Sequence, residues 1–295
     1  MSSIRDLILE GRRRLDRLPL SDPTLESRLL LQKAAGLSDI EVLSSPERPV
    51  PLGKVRTFFG LIEKRRARAP MAYLLGEKEF WSRTFRLFPG VLIPRPETEL
   101  VVEKVIELST KREESIVDVG TGCGAIAIAL AGELPLARFI AIDISRRALK
   151  AARINAALAP ARRIRFVEGR APAAFKSLLP AESQDFIVSN PPYVSERDWR
   201  DLAPEIRLFE PKRALVPGPT GLEFIKRLIR GSAPFLKPGG HLVLEIGHGQ
   251  RDGVLSFFDE AWADVRSFDD LSAIPRVVVA RRTARERASS SPHPL

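Results

Sequence analysis

The segment Asn190-Pro191-Pro192-Tyr193 has residue types that can hold a planar amino group. Such a nitrogen is a poor nucleophile because its lone pair is delocalised into a π-system. The side-chain carbonyl of Asn190 and the backbone carbonyl of Pro191 can each accept one of its N–H groups, which aims the lone pair at an electrophile. The two prolines restrict φ and remove two N–H donors, so the segment is stiff, and Tyr193 offers a flat face. The alternative is an ordinary turn after a strand, which Asn-Pro often begins.

A glycine-rich segment further upstream, at 118–124, predicts a cofactor loop. It lies between a predicted buried strand at 115–119 and a predicted helix at 125–131. Such a tight connection needs glycine for positive φ and close backbone approach, and the unpaired N–H groups at the helix start suit a carboxylate. Asp118 can accept an amino group, and Asp143, at the end of a second predicted strand, suits two ribose hydroxyls.

These groups together match S-adenosylmethionine (SAM), which carries a carboxylate, an amino group and a ribose. The competing hypothesis is a nicotinamide-dinucleotide site, whose fingerprint is Gly-x-Gly-x-x-Gly, whereas this chain has Gly-x-Gly-x-Gly. SAM has no pyrophosphate to cradle, so the spacing and the later Asn190 segment favour SAM; a glycine turn without a ligand is the structural alternative. The candidate SAM-binding residues are Asp118, Gly120, Thr121, Gly122, Cys123, Gly124, Asp143 and Asn190.

Length and charge set limits on the kind of protein. At 295 residues the chain suits one large or two small domains. The formal net charge of +10 fits either a nucleic-acid surface or a solvated arginine-rich surface, and it is compatible with a ribosome-related or acidic partner. The basic clusters are scattered, and no aromatic residues are interleaved with them at base-stacking spacing. The charge by itself is therefore not diagnostic.

The remaining composition predicts a cytoplasmic protein without a metal. No apolar run approaches the ~20 residues that cross a bilayer, and the N-terminus has no signal-peptide pattern, so we expect no membrane association. The single cysteine, Cys123, excludes an internal disulfide and fits a reducing cytoplasm. We favour a loop-filling role for Cys123 over a nucleophilic one, because no histidine lies near it in the sequence. His241, His248 and His293 do not have the spacing of metal ligands.

Hydrophobic periodicity predicts a helical part at the start of the chain. Residues 1–70 have apolar stripes with a period near 3.6, typical of a small helical domain. One of its helices is expected to begin at Asp22-Pro23 and to end at Gly36. A linker at 71–96 follows, and it contains a hairpin pattern around 79–87.

The rest of the chain alternates between strand and helix patterns from 97 to 282. This predicts an α/β, Rossmann-like domain with a mostly parallel seven-stranded sheet covered on both faces. Ligands bind such sheets at the carboxyl ends of the strands, where both site segments fall. We expect a turn at 237–240 and a disordered tail at 283–295, which is rich in Arg, Ser and Pro. The expected strands are 115–119, 139–142, 164–167, 186–189, 241–246, 265–268 and 276–280.

Several segments resemble those of one enzyme family over nearly the whole chain, to about residue 282. The most specific is Leu-Ile-Pro-Arg-Pro-Glu-Thr-Glu at 92–99, whereas Asn190–Tyr193 alone is shared with DNA adenine methyltransferases. On these residues the chain resembles the HemK/PrmC family, the peptide chain release factor N5-glutamine methyltransferases. The other matching segments are 70–76, 79–81, 118–124, 205–211, 214–215, 239–240 and 245–247.

The resemblance implies a substrate and a reaction. The glutamine in the Gly-Gly-Gln tip of class I bacterial release factors would receive a methyl group from SAM on its side-chain amide nitrogen, giving N5-methylglutamine and S-adenosylhomocysteine. Asn190 and the Pro191 carbonyl would hold the amide, and Tyr193 would pack on it. The glycine segment and Asp143 would hold SAM, and the helical domain would help to recognise the release factor. We expect a monomer that needs no nucleic acid.

The chain departs from this family pattern after the third strand of the alternating part. Similar proteins usually carry an acidic residue and then a bulky one near the adenine; here the aligned residues are Arg170 and Ala171. Ala171 is therefore the residue expected beside the cofactor, and backbone groups or Glu168 would replace the missing acidic contact. The departure does not exclude activity, because the adenine ring is far from the transferred methyl group.

Two other functions compete with glutamine methylation. An adenine-N6 DNA methyltransferase is slightly favoured by the basic charge, but the chain has no large target-recognition segment to grip a duplex during base flipping. A SAM-binding or RNA-binding module without catalysis is the other alternative. The intact Asn-Pro-Pro-Tyr segment argues against it.

Overall fold

The computed structural model describes residues 2–16, 18–19, 22–110, 113–159 and 163–284. Its α-helices are α1 (Ile4–Leu15), α2 (Pro23–Ala35), α3 (Asp39–Ser44), α4 (Leu52–Arg66), α5 (Met71–Leu75), α6 (Glu99–Leu108), α7 (Ala125–Glu133), α8 (Arg146–Leu158), α9 (Phe175–Leu178), α10 (Pro204–Phe209), α11 (Glu223–Ser232) and α12 (Arg251–Leu255). Its strands are β1 (Glu77–Phe80), β2 (Arg83–Arg86), β3 (Ser115–Val119), β4 (Arg138–Asp143), β5 (Ile164–Glu168), β6 (Gln184–Ser189), β7 (Leu236–Glu245), β8 (Trp262–Asp269) and β9 (Pro275–Arg282).

The first compact unit is helical. It is formed by the chain up to Lys78 together with Arg86–Ile93 and Leu202–Glu210. Apolar side chains of α1, α2 and α4 make its core, in which Leu30 and Phe58 are fully buried. No periodicity or spacing in the sequence indicated that Leu202–Glu210 would belong to this unit. The expected domain boundaries after residues 70 and 96 remain predictions.

Helix α2 shows how closely local sequence signals fixed the helix ends. The Asp22 side chain accepts a hydrogen bond from the backbone N–H of Leu25 at 2.8 Å, and Pro23 occupies the first helical position. Gly36 ends the helix in the left-handed conformation, with φ of +71°. The predicted start and end of this helix are both confirmed.

The second compact unit is the alternating part. It comprises Glu79–Phe85, Pro94–Asp201 and the chain from Pro211. Its seven-stranded sheet has the order β5-β4-β3-β6-β7-β9-β8. The pairs from β5 to β7 are parallel, and β9 pairs antiparallel with both β7 and β8. The predicted α/β class and the mostly parallel seven-stranded sheet are confirmed.

The sheet contains one local departure from the expected pattern. Residues 237–240 were expected to form a turn before a strand, but they lie inside β7. The pairing of β6 with β7 changes register here, from Gln184 opposite Leu236 to Phe186 opposite His241. Gly239, with φ of +80°, lets the extra residues bulge while the strand continues. Periodicity does not reveal a bulge, because Gly and Pro also mark turns.

Short helices account for most of the other differences. Helices α9, α10 and α12 each span six residues or fewer, too few for apolar periodicity to reveal them. The last strand, expected at 276–280, is β9 and spans Pro275–Arg282. Most of the tail that was expected to be disordered, from residue 285 onward, lies outside the described residues.

No helix in the described part of the chain has the length and apolar character to cross a membrane. Among the same residues, no group of three or more His, Cys, Asp and Glu side chains could hold a metal ion.

Candidate active site

The carboxyl ends of three neighbouring strands bring the predicted site residues to one edge of the sheet. β3 lies between β4 and β6, and its last residue, Val119, pairs with Ile142 on one side and with Ser189 on the other. The Gly120 N–H donates to the Ile142 carbonyl at 2.8 Å, and the Ser189 hydroxyl donates to the Val119 carbonyl at 2.7 Å. The glycine loop, the end of β4 and the Asn190 segment therefore begin side by side.

The glycine loop adopts a conformation that requires its glycines. Gly120, Gly122 and Gly124 have φ of +73°, +58° and +88°. A Cβ on Gly124 would come within 2.8 Å of the Ile128 side chain, so both the backbone conformation and the packing exclude a larger residue. The predicted strand–turn–helix connection is present, with α7 beginning at Ala125.

Cys123 is buried within this loop and does not have the environment of a nucleophile. Burial raises the pKa of its thiol to about 12, so the thiol stays protonated. Its backbone carbonyl accepts a hydrogen bond from the Asn155 side chain at 2.9 Å, which ties the loop to α8. These surroundings agree with the expected loop-filling role.

Asp143 holds the glycine loop from the end of β4. Its carboxylate accepts the Gly122 N–H at 2.9 Å and the Ser145 N–H at 2.8 Å. Burial raises the pKa of Asp143, although these two hydrogen bonds and the nearby Arg213 lower it. A carboxylate has about four acceptor positions, so Asp143 keeps capacity for ligand hydroxyls.

Asp118 carries a buried carboxylate oxygen that the protein does not satisfy. Its Oδ2 accepts the Thr121 hydroxyl at 2.6 Å, whereas its Oδ1 has no hydrogen-bond partner among the described residues. Burial raises the pKa of Asp118 to about 7, against the lowering effect of the Thr121 hydrogen bond. An unsatisfied buried acceptor is costly. A ligand ammonium group would both hydrogen-bond this oxygen and stabilise its charge.

The Asn190 side chain has a defined partner at one end only. Its Nδ2 donates to the Thr98 hydroxyl oxygen at 2.8 Å, and Thr98 donates in turn to Glu245 at 2.6 Å. The Tyr193 hydroxyl donates to the other oxygen of Glu245 at 3.0 Å. Burial, reinforced by the Glu245 carboxylate, raises the pKa of Tyr193, so this phenol stays neutral. The Asn190 carbonyl remains the end that can accept a ligand N–H.

Sequence reasoning assigned no role to Thr98 and Glu245. Both are buried, with Thr98 3 % and Glu245 0 % exposed. Burial raises the pKa of Glu245 to about 7, although hydrogen bonds from Thr98 and Tyr193 and the nearby Arg276 lower it. The available signal was a glutamate directly after the apolar stretch 242–244, because a glutamate in a buried strand needs a partner for its charge.

Ala171 is buried in the hydrophobic core of the second unit. It is 7 % exposed and belongs to the same cluster as Ile142 and Phe175. Arg170 is exposed, and the exposed Glu168 accepts a hydrogen bond from Arg146 at 2.7 Å. A contact between Ala171 and the cofactor adenine therefore remains a prediction.

Comparison with known proteins defines the class of the second unit. Residues 97–219 match the family model described as the methyltransferase small domain. A solved methyltransferase from Pyrococcus furiosus has the same fold, with a TM-score of 0.50 and 16 % identity over 77 % of this chain and 98 % of that chain. Together with the glycine loop, these findings define a methyltransferase, and S-adenosylmethionine is its methyl donor.

The helical part and the full-length relatives narrow the class to one family. Residues 6–76 match the PrmC N-terminal domain. The release factor glutamine methyltransferase of Nitratidesulfovibrio vulgaris is 37 % identical over 95 % of this chain and 96 % of its own. That of Koribacter versatilis is 38 % identical over 88 % and 91 %. The chain belongs to the release factor glutamine methyltransferase family.

The residues at the sheet edge fit S-adenosylmethionine. The orphaned Oδ1 of Asp118 suits an ammonium group, and the first turn of α7, which begins at Ala125, has backbone N–H groups without intrahelical partners that suit a carboxylate. If a Cβ were added to Gly120 or to Gly122, the nearest heavy atom outside the adjoining residues would lie 3.9 Å from it. The loop thus leaves room for a ligand to approach its backbone.

Proposed function

We propose that this protein transfers a methyl group from SAM to the side-chain amide nitrogen of the glutamine in the Gly-Gly-Gln motif of class I peptide chain release factors. The observation that carries this proposal is the orientation of Asn190. Its Nδ2 is occupied by Thr98, so its carbonyl is available to accept an amide N–H at the sheet edge that also carries the glycine loop. Membership of the release factor glutamine methyltransferase family supports the choice of substrate.

The site residues have separate tasks in this reaction. When bound, SAM would supply a methyl group on a positively charged sulfur. A bond between the methyl carbon and the glutamine nitrogen would form as the carbon–sulfur bond breaks, leaving neutral S-adenosylhomocysteine, and one N–H proton of the glutamine would pass to water. Asn190 Oδ1 and the Pro191 carbonyl accept the two N–H groups of the glutamine, which aims the nitrogen lone pair at the methyl carbon. Pro192 keeps the segment stiff. The Tyr193 ring packs against the planar amide.

The cofactor is held by groups remote from the transferred methyl. Asp118 would accept the amino group of SAM, and the backbone N–H groups at the start of α7 would bind its carboxylate. Asp143 accepts the ribose hydroxyls with the acceptor positions that Gly122 and Ser145 leave free.

We expect Asp143→Ala to weaken SAM binding more than it slows the bound complex. Charge-assisted hydrogen bonds contribute ~1.5–3 kcal/mol, which corresponds to a rise in Kd of roughly 10- to 150-fold. Calorimetric titration with SAM measures the affinity, and kcat at saturating SAM measures the reaction. Asp259→Ala is a matched control, because Asp259 also accepts a backbone N–H two residues ahead, from Ala261 at 3.1 Å. An unchanged SAM affinity in Asp143→Ala would remove this residue from the cofactor site.

One experiment separates the proposed function from its alternatives. A class I release factor and a DNA oligonucleotide rich in adenine are each incubated with the protein and isotopically labelled SAM, and the products are analysed by mass spectrometry. We expect label on the Gly-Gly-Gln glutamine and none on DNA. Label on adenine would favour the DNA methyltransferase alternative, and absence of label on both would favour a binding module.

The helical unit is proposed to recognise the release factor. It exposes large apolar side chains: Ile40 and Leu43 on α3 are 77 % and 68 % exposed, and Leu52 at the start of α4 is 69 % exposed. Placing one glutamine in a narrow site requires a second contact surface, since a protein interface buries about 800 Å² on each partner. The protein is further proposed to be a cytoplasmic monomer that works without nucleic acid.

Removal of residues 1–70 is expected to spare SAM binding and to raise the KM for the intact release factor by more than about tenfold. The deletion also removes Arg65 and Arg68, the partners of Glu205. The truncated chain should therefore carry Glu205→Gln, and the full-length Glu205→Gln variant is its control. A short Gly-Gly-Gln peptide should be methylated equally by both. Equal efficiency on the intact release factor by the truncated, folded protein would refute the recognition role.

A further inference from the structure

A chain of three hydrogen bonds connects Asn190 with three other side chains of the second unit, of which Thr98 and Glu245 are buried. Asn190 Nδ2 donates to Thr98 Oγ1 at 2.8 Å, and Thr98 Oγ1 donates to Glu245 Oε2 at 2.6 Å. Tyr193 donates to Glu245 Oε1 at 3.0 Å. Thr98 is supplied by a short helical turn at Pro96–Thr98 and Glu245 by the end of β7, so elements distant in sequence converge on Asn190.

We infer that Thr98 and Glu245 are positioning residues that fix which end of the Asn190 amide faces the substrate. An ionised carboxylate is only an acceptor, so the Thr98 hydroxyl hydrogen must point towards Glu245. The Thr98 oxygen then has only acceptor capacity left for Asn190. It can bind the NH₂ end of that amide and not the carbonyl end.

This direction matters because packing alone distinguishes the two ends of an amide poorly. The NH₂ group and the carbonyl oxygen are nearly equal in size, and hydrogen bonds decide between them. In the observed orientation Asn190 presents an acceptor to the substrate NH₂ group. In the flipped orientation it would present a donor to another donor. The inference rests on the proposed function only in taking an NH₂ group as the reacting group.

The ionised state of Glu245 maintains this direction. A protonated Glu245 could donate to Thr98 Oγ1, which would free the Thr98 hydrogen to donate to the carbonyl of Asn190 and so favour the flipped amide. The charged and titratable groups around Glu245 are Tyr193 after β6, Arg276 on β9 and Glu97 beside Thr98. Burial raises the pKa of Glu245 to about 7, and Glu97 adds to this effect while Arg276 opposes it. The reaction should therefore slow as the pH falls through about 7.

Thr98→Val tests the inference, because valine keeps the shape of threonine and removes the hydroxyl. We expect kcat at saturating SAM to fall by about 10- to 100-fold, with SAM affinity unchanged. Thr98→Ser should restore at least half of the wild-type kcat, since serine retains the hydroxyl. Ser232→Ala is the control for loss of a buried hydroxyl, because Ser232 donates only to the Leu228 carbonyl within α11. Its kcat should equal that of the wild type.

Glu245→Gln provides a second, independent test. The neutral amide can accept from Thr98 through its carbonyl or donate to it through its NH₂ group, so the direction of the chain is no longer enforced at any pH. We expect kcat to fall by about 10- to 100-fold and its decline below pH 7 to disappear. Measuring kcat at saturating SAM removes the contribution of Asp118 to the pH dependence, because protonation of Asp118 acts on cofactor binding. If Thr98→Val does not fold, Glu245→Gln and Thr98→Ser carry the test.

A measurement on the free protein separates failure of the inference from failure of the proposed function. The side-chain NH₂ resonances of Asn190 in an NMR spectrum should show slow exchange with water in the wild type and faster exchange in Thr98→Val. This readout needs no turnover, so it holds even if the release factor is not the substrate. A kcat for Thr98→Val or Glu245→Gln within about twofold of the wild type, or unchanged Asn190 exchange, would overturn the inference.

Discussion

Asn190→Ala is expected to lower kcat for glutamine methylation by about 100- to 1,000-fold while leaving the fold intact. The substitution removes one of the two acceptors that orient the reacting NH₂ group, and loss of one such positioned group costs ~2.7–4 kcal/mol in a transition state. Asn190 is only partly buried, and among the described residues its side chain hydrogen-bonds to Thr98 alone. The thermal midpoint should therefore change little. The measurement is single-turnover methylation of a Gly-Gly-Gln peptide at saturating SAM.

Gln184→Ala is the matched control for Asn190→Ala. Gln184 is a buried amide at the opposite end of β6, where its Nε2 bonds to Ser183 at 2.6 Å. Its loss should reduce stability more than Asn190→Ala does and leave kcat unchanged. If Asn190→Ala retained more than half of the wild-type kcat, orientation by Asn190 would not be part of the mechanism.

Arg65→Ala is expected to destabilise the helical unit by about 3 kcal/mol. Arg65, whose side chain is 6 % exposed, binds Glu26 through two hydrogen bonds of 2.7 and 3.1 Å and Glu205 through one of 3.0 Å. Its removal leaves two glutamates that are largely buried, with 16 % and 18 % of their side chains exposed. We place the loss at the low end of the 3–5 kcal/mol typical of broken buried pairs, because this exposure lets water hydrate them partly and Arg68 still binds Glu205.

The neighbouring Arg66→Ala variant controls for this prediction. Arg66 lies on the same helix, but its side chain is 45 % exposed and pairs with Glu63, which is 50 % exposed. Exposed pairs of this kind contribute about 0–1 kcal/mol. Urea denaturation followed by circular dichroism, with both variants compared with the wild type, measures the difference. A midpoint for Arg65→Ala that matched that of Arg66→Ala would show that the buried network does not stabilise the helical unit.

Local sequence signals determined the parts of the site that lie within a few residues of one another. The strand–glycine–helix connection at 118–125 and the Asn190 segment after β6 both follow from residue types at fixed spacing, because glycine and proline restrict the backbone in ways that single residues reveal. Alternation of strand and helix patterns determined the parallel sheet, which places both segments and Asp143 at one edge. These features could be predicted without any knowledge of long-range contacts.

Only the tertiary structure decided the contacts between distant residues. Thr98 lies 92 residues from Asn190 and 147 residues from Glu245, and Arg65 lies 140 residues from Glu205. Such pairs leave no periodicity in the sequence, since their meeting depends on strand order and on the register of β6 with β7, which includes a bulge. The sequence alone therefore determined which groups can react. The fold decided which end of Asn190 faces the substrate and which segment completes the helical unit.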